Sequence, residues 1–97
     1  ILGRVWHEQE NGWSGTWTRR GDSATFDAVW TKDGARVTAV LTMTMRDADR
    51  VSIHRKDTSD SLEVDYEGTI GRDAKVHGTG KIRSTGWAYP WTATIGP

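Results

Sequence analysis

The sequence predicts an all-β fold: an antiparallel up-and-down meander of about eight strands closing into a small barrel. Three observations predict it. Turn-forming clusters recur at short intervals, the segments between them alternate apolar and polar residues with a period of two, and helical spacing is nowhere sustained.

The first segment, Gly3 to Gln9, is the least regular. The phase of His7-Glu8 stays open, and so does whether this segment closes the barrel. Glu10-Asn11-Gly12 follows, with the residue types that supply the positive φ of a two-residue hairpin turn. The second segment places Trp13, Gly15, Trp17 and Arg19 on one face. After Arg20-Gly21-Asp22-Ser23, the third sets Phe26, Ala28 and Trp30 against Thr25, Asp27 and Val29. Lys32-Asp33-Gly34 turns into the fourth, where Val37, Ala39, Leu41, Met43 and Met45 face inward. The fifth starts at Arg50 beyond Arg46-Asp47-Ala48-Asp49 and carries Val51 and Arg55 on its inward parity. Lys56 to Ser61 leads to Leu62, Val64, Tyr66, Gly68 and Ile70, opposed by Glu63, Asp65, Glu67 and Thr69. Gly71-Arg72-Asp73 leads to Val76, Gly78, Gly80 and Ile82, opposed by Lys75, His77, Thr79 and Lys81. The last segment follows Ser84-Thr85-Gly86 and turns Tyr89, Trp91, Ala93 and Ile95 inward, with Pro90 outward. Lacking an N–H, Pro90 marks a strand start or an edge, and the seam with the first segment suits it.

Ninety-seven residues make one domain, residues 1–97, with a single core and little surplus stability. Thirteen basic and thirteen acidic residues cancel, and each half of the chain is balanced. Neither nucleic acid nor an anionic membrane surface is an expected partner. No apolar run is long enough to span a bilayer. The absence of cysteine removes disulfides and thiolate metal sites. The chain begins at Ile1 without methionine, from which an exported address, periplasmic or secreted, is expected, with a cytoplasmic one as the alternative. A monomer or weak dimer is expected.

Glu63, Asp65 and Glu67 fall between Arg50-Ser52-His54 and Lys75-His77-Lys81 on the neighbouring segments. Cross-strand pairs of opposite charge support sequential pairing and give His54 and His77 ordinary surface roles.

Gly15-Thr16-Trp17 at the start of an all-β meander resembles the Gly-x-Trp opening of the calycins, the lipocalins and fatty-acid-binding proteins. That resemblance implies an up-and-down barrel that carries a small apolar ligand inside. The chain is shorter than lipocalins and has no basic residue on its last strand to pack over that tryptophan, although Arg83 lies just before it. The stretch GWSGTWTRRG is also similar to openings of small exported bacterial proteins of unassigned function.

Strand direction alternates in a meander, so each inward residue belongs to one end. With the Asn11-Gly12 turn defining the upper end, Trp13, Trp30, Arg55, Trp87, Tyr89 and Trp91 all fall there, as the candidate ligand-binding residues. Closure brings together the two Gly-Trp-x-x-x-Trp stretches, Gly12 to Trp17 and Gly86 to Trp91. Phe26, Met43, Met45, Val51, Ile70, Val76 and Ile95 populate the lower end, with Arg19. Trp17 is expected in the core. The upper tryptophans either plug the barrel or line a ligand-contacting rim, and Gly15, Ala28, Ala39, Gly68, Gly78, Gly80 and Ala93 leave room beside them for rings or a guest. Arg55 is positioned to pair a ligand carboxylate, to stack on a tryptophan, or to snorkel at the rim.

No carboxylate falls on an inward position of a well-defined strand, so a glycosidase-type acid pair has no home. No catalytic residues, metal ligands or cofactor are assigned. His7-Glu8 is too short to specify a metal or a triad, and Arg20-Gly21-Asp22 is accounted for by turn chemistry. The expected function is therefore a carrier or sensor of a small apolar or aromatic ligand. The alternatives are a carbohydrate- or protein-binding or inhibitory module using exposed tryptophans, and a purely structural domain.

Overall fold

The computed structural model describes residues 2–97. Its strands are β1 (Val5–Glu10), β2 (Trp13–Arg19), β3 (Thr25–Lys32), β4 (Ala35–Asp47), β5 (Arg50–Asp57), β6 (Glu63–Ile70), β7 (Lys75–Ile82) and β8 (Ala88–Gly96). Each pairs antiparallel with the next, and β1 pairs with β8 to close the barrel. The described residues contain no helix. Two of the upper connections are built from the predicted chemistry: Asn11 and Gly12 have φ of 49° and 81°, and Asp33 and Gly34 have 49° and 83°. Positive φ at both central residues lets the turn follow the right-handed twist of its flanking strands.

Closure is complete at this least regular segment. β1 runs beside β8 from Val5↔Gly96 to Gln9↔Thr92, and Trp6 Nε1 donates to the Leu2 carbonyl at 2.7 Å beneath the seam. Pro90 pairs with Thr79 of β7 but lies past the last β1–β8 pair. Its missing N–H therefore costs that ladder nothing.

The interior is filled by aromatic rings. Trp6, Trp17, Phe26, Trp30, Tyr66 and Trp91 are all buried. Trp17 is the hub, with its ring centroid 5.7 Å from Trp6, 6.1 Å from Trp30, 5.8 Å from Tyr66 and 5.6 Å from Trp91. The inward glycines make room for these rings. A Cβ on Gly15 would stand 2.6 Å from Trp30 Nε1, one on Gly68 2.8 Å from Trp91, and one on Gly80 3.0 Å from Tyr66. The space those glycines leave is thus taken by the protein's own side chains. Trp17 Nε1 is buried without an acceptor, for which nothing in the structure offers a reason. Phe26, Met43, Val51 and Val76 fill the lower end, with Met45, Ile70 and Ile95 packed against them.

On the outer face, His54 Nε2 meets Glu63 at 2.8 Å, Ser52 donates to Glu67, and Arg83 grips Asp65 at 2.9 and 3.1 Å. Arg83 therefore sits outside the barrel, and it is Trp6 that stacks on Trp17, at an interplanar angle of 17°. Arg19 reaches the carbonyls of Asp22 and Ser23 and braces the lower β2–β3 turn.

The segments that the sequence left undefined hold the inward carboxyl groups. Three carboxyl groups point inward: Glu8 and Glu10 on β1 and Asp57 at the end of β5, all buried. β1 takes the phase that buries Trp6, and Glu8 and Glu10 follow it by the two-residue period. Asp57 shares the parity of Arg55 because β5 continues two residues beyond it.

Candidate functional site

The upper end is framed by the Asn11-Gly12 and Asp33-Gly34 turns and by the β5–β6 and β7–β8 loops. A cavity of about 230 Å³ opens there, below the ~300–1,000 Å³ typical of ligand sites. Trp13, Trp30, Trp87 and Tyr89 line it, together with Val37, Leu62 and Ile82. Its polar lining consists of Glu10, Asn11, Arg55, Asp57 and Asp60.

Of the six residues proposed from the sequence, five line this cavity: Trp13, Trp30, Arg55, Trp87 and Tyr89. Trp91 does not. It is packed deeper, against Tyr66 and Gly68, with Nε1 donating to the Glu67 carbonyl at 3.2 Å. Its two-residue offset from Tyr89 carries it one step further down β8, into the core. Trp13 is half-buried, and Trp87 is 55% exposed in the β7–β8 loop. Trp87 lies over Tyr89, centroids 5.2 Å apart at 34°. Trp30 and Trp91 are thus buried in the interior, while Trp13 and Trp87 stand at the rim of the cavity.

The cavity floor is a buried hydrogen-bonded network. Arg55 Nε donates to Asp57 Oδ1 at 2.6 Å and Nη2 to Oδ2 at 3.2 Å. Its Nη1 donates to the Tyr66 hydroxyl at 2.9 Å and lies 3.5 Å from Glu10 Oε2. The guanidinium also stacks on the Trp30 indole, 4.0 Å from the ring centroid. Tyr66 in turn donates to Glu10 Oε1 at 2.7 Å and accepts from the Tyr89 hydroxyl at 3.3 Å. Arg55 is thus a buried residue committed to protein partners, not a snorkelling one. An acidic ligand would have to compete with two resident carboxylates for it.

Behind this layer, Glu8 Oε1 accepts from Trp30 Nε1 at 2.7 Å, while Oε2 has no donor. Burial first, then hydrogen bonding and like charge from neighbouring Glu10, hold the Glu8 carboxyl well above its ordinary value of 4.5. The shift favours the protonated form of Glu8, whose second oxygen is left without a hydrogen-bond partner among the described residues. Burial, and next the charge of Glu10, likewise push the Tyr66 hydroxyl above its ordinary range, so it acts as a neutral donor.

Chemically, the arrangement holds fixed charge at the base of an aromatic cavity. The carboxyl groups missed by sequence reading are tied to Arg55, Tyr66 and Trp30, which leaves their acceptor positions largely occupied. The only sequence signal for them was the two-residue period from Trp6 to Glu8 and Glu10, and from Arg55 to Asp57. Among the described residues, no group of three or more acidic, histidine or cysteine side chains is arranged to hold a metal ion. No helix among the described residues is long and apolar enough to cross a membrane. No protein-family model, curated protein or solved structure matches the chain.

Proposed function

We propose that the chain is a small-ligand-binding barrel, a carrier or sensor, that receives its ligand at the upper end. One observation carries this reading: a cavity of about 230 Å³ bounded by Trp13, Tyr89 and the exposed Trp87 above a buried, ordered polar floor. Aromatic walls supply apolar contact area, and a few fixed polar groups orient the guest. The up-and-down topology and the Gly15-Thr16-Trp17 opening support a calycin-like reading. It differs from carriage deep inside a barrel because the interior is occupied by tryptophans, so the guest sits in the mouth.

The test is a titration of intrinsic tryptophan fluorescence, paired with thermal melts, across fatty acids, aromatic acids, amines and sugars. A true ligand quenches or shifts the emission and raises the melting temperature. Trp87→Ala weakens binding at little cost to folding, because its side chain is mostly exposed. Silence of the whole panel in both readouts would remove the proposal. A second reading, a carbohydrate- or protein-binding module, draws on the exposed Trp87 lying over Tyr89. It predicts sugar or protein binding that is lost with Trp87→Ala and indifferent to substitutions inside the cavity.

A further inference from the structure

We propose that the upper cavity selects an organic cation, a small alkylated or aromatic ammonium group, over neutral or acidic guests of the same shape. The inference rests on the reading of this cavity as a ligand site and adds the chemical class.

Three carboxylates line the cavity, Glu10, Asp57 and Asp60, against the single guanidinium of Arg55. Asp57 holds that guanidinium through two hydrogen bonds, and Trp30 covers one of its faces. Glu10 also lies 3.5 Å from the guanidinium, so two carboxylates share one cation within the floor, and with the exposed Asp60 the lining holds more carboxylates than cations. Neither of the other basic side chains nearby belongs to the lining. Arg83 is paired outside the barrel with Asp65 and Glu63, while Lys32 donates to the Asn11 carbonyl at 3.1 Å and keeps its charge outside the lining, so the negative excess belongs to the lining itself. A negative cleft with apolar walls concentrates field lines and draws cations in. The walls are Trp13, Trp87 and Tyr89, whose rings carry the quadrupole that attracts ammonium groups. The site already contains one such contact, Arg55 on Trp30. A carboxylate guest would meet like charge in the lining, and its natural partner, Arg55, is occupied.

The experiment compares phenyltrimethylammonium with its neutral isostere tert-butylbenzene and with benzoate, by fluorescence titration and calorimetry of the full chain at low and high salt. The expected result is binding of the cation roughly tenfold or more tighter than the isostere, weakened by salt, with no binding of benzoate. Asp60→Asn and Trp87→Ala, both at exposed positions, should each weaken the cation several-fold while leaving the melting temperature of the free protein nearly unchanged. Equal binding of cation and isostere would overturn the charge selection and leave the small-ligand reading standing. Tighter binding of benzoate, or of a neutral sugar, would do the same. Failure of the cation to bind at all overturns the inference. The ligand reading itself falls only if the wider panel is silent too.

Discussion

Arg55 and Glu8 show how differently a barrel interior treats two charged side chains. Arg55 keeps its charge because Asp57, Tyr66 and Glu10 surround it. Removing it strands a buried carboxylate. Arg55→Gln should therefore cost roughly 3–5 kcal/mol, as broken buried pairs do. The Arg55→Gln/Asp57→Asn double variant should recover a large part of that loss, and denaturant melts of the cycle measure the coupling. Additive losses would mean that Asp57 is satisfied without Arg55.

Glu8 keeps its proton instead. In the unfolded chain it ionises around its ordinary 4.5, while in the fold burial and Glu10 hold it protonated far above that. Unfolding then releases a proton between this ordinary value and the raised one, about 10. Stability from this group is complete at acid pH and declines as pH rises, by up to about 1.4 kcal/mol per pH unit. Glu8→Gln replaces the protonated carboxyl with a neutral group that still accepts from Trp30. Urea melts from acid to mildly alkaline pH should show the variant gaining on the parent as pH increases. A constant difference between the two across that range would place an ionised Glu8 inside the barrel.

At the scale of elements, strand pairing is controlled by where side chains are missing. Gly68 of β6 faces Gly78 of β7, and a Cβ on Gly78 would fall 1.8 Å from the Glu67 carbonyl oxygen. That contact is with backbone, which cannot swing aside as a flexible side chain would. Gly78→Ala must push β6 from β7 and should cost about 3 kcal/mol or more. Hydrogen exchange would show protection lost first along the β6–β7 ladder. Loss spread evenly over the barrel would count against a local cause. β4 is the longest strand, Ala35–Asp47, and its register shifts between Met45 and Asp47. Such a bulge bends the strand where the sheet must curve at the lower rim.

For the whole molecule, closure joins the two ends of the chain, since β1 pairs with β8. Every ladder up to that point is a local hairpin, but the last carries the entropy of the full loop. Refolding should take milliseconds to seconds, as for other barrels of this size, and tryptophan burial should be complete only when β1 docks. Trp6, the β1 tryptophan stacked on Trp17, is the natural reporter. Microsecond refolding would mean that closure is not limiting.

Much of this was legible in the residues themselves. Asn11-Gly12 and Asp33-Gly34 announce their turns because few residue types tolerate positive φ. The alternation from Val37 to Met45, or from Leu62 to Ile70, reveals a buried face because side chains on a strand point alternately to opposite sides. Sequential pairing, the gathering of aromatic residues at one end and the burial of Trp17 follow from these local rules. The inward carboxyl groups do not. Alternation is read by assuming that apolar means inside, and Trp6-His7-Glu8-Gln9-Glu10 has polar residues on both parities, so β1 shows no phase until its partners are known. Glu8 and Glu10 are buried because closure brings them to Trp30 and Tyr66, and Asp57 because it meets the guanidinium of Arg55. Whether the glycines left a hollow was equally a tertiary matter. It depended on rings such as Trp30 against Gly15 and Trp91 against Gly68, contributed by different strands, and only the folded barrel sets their volumes against one another.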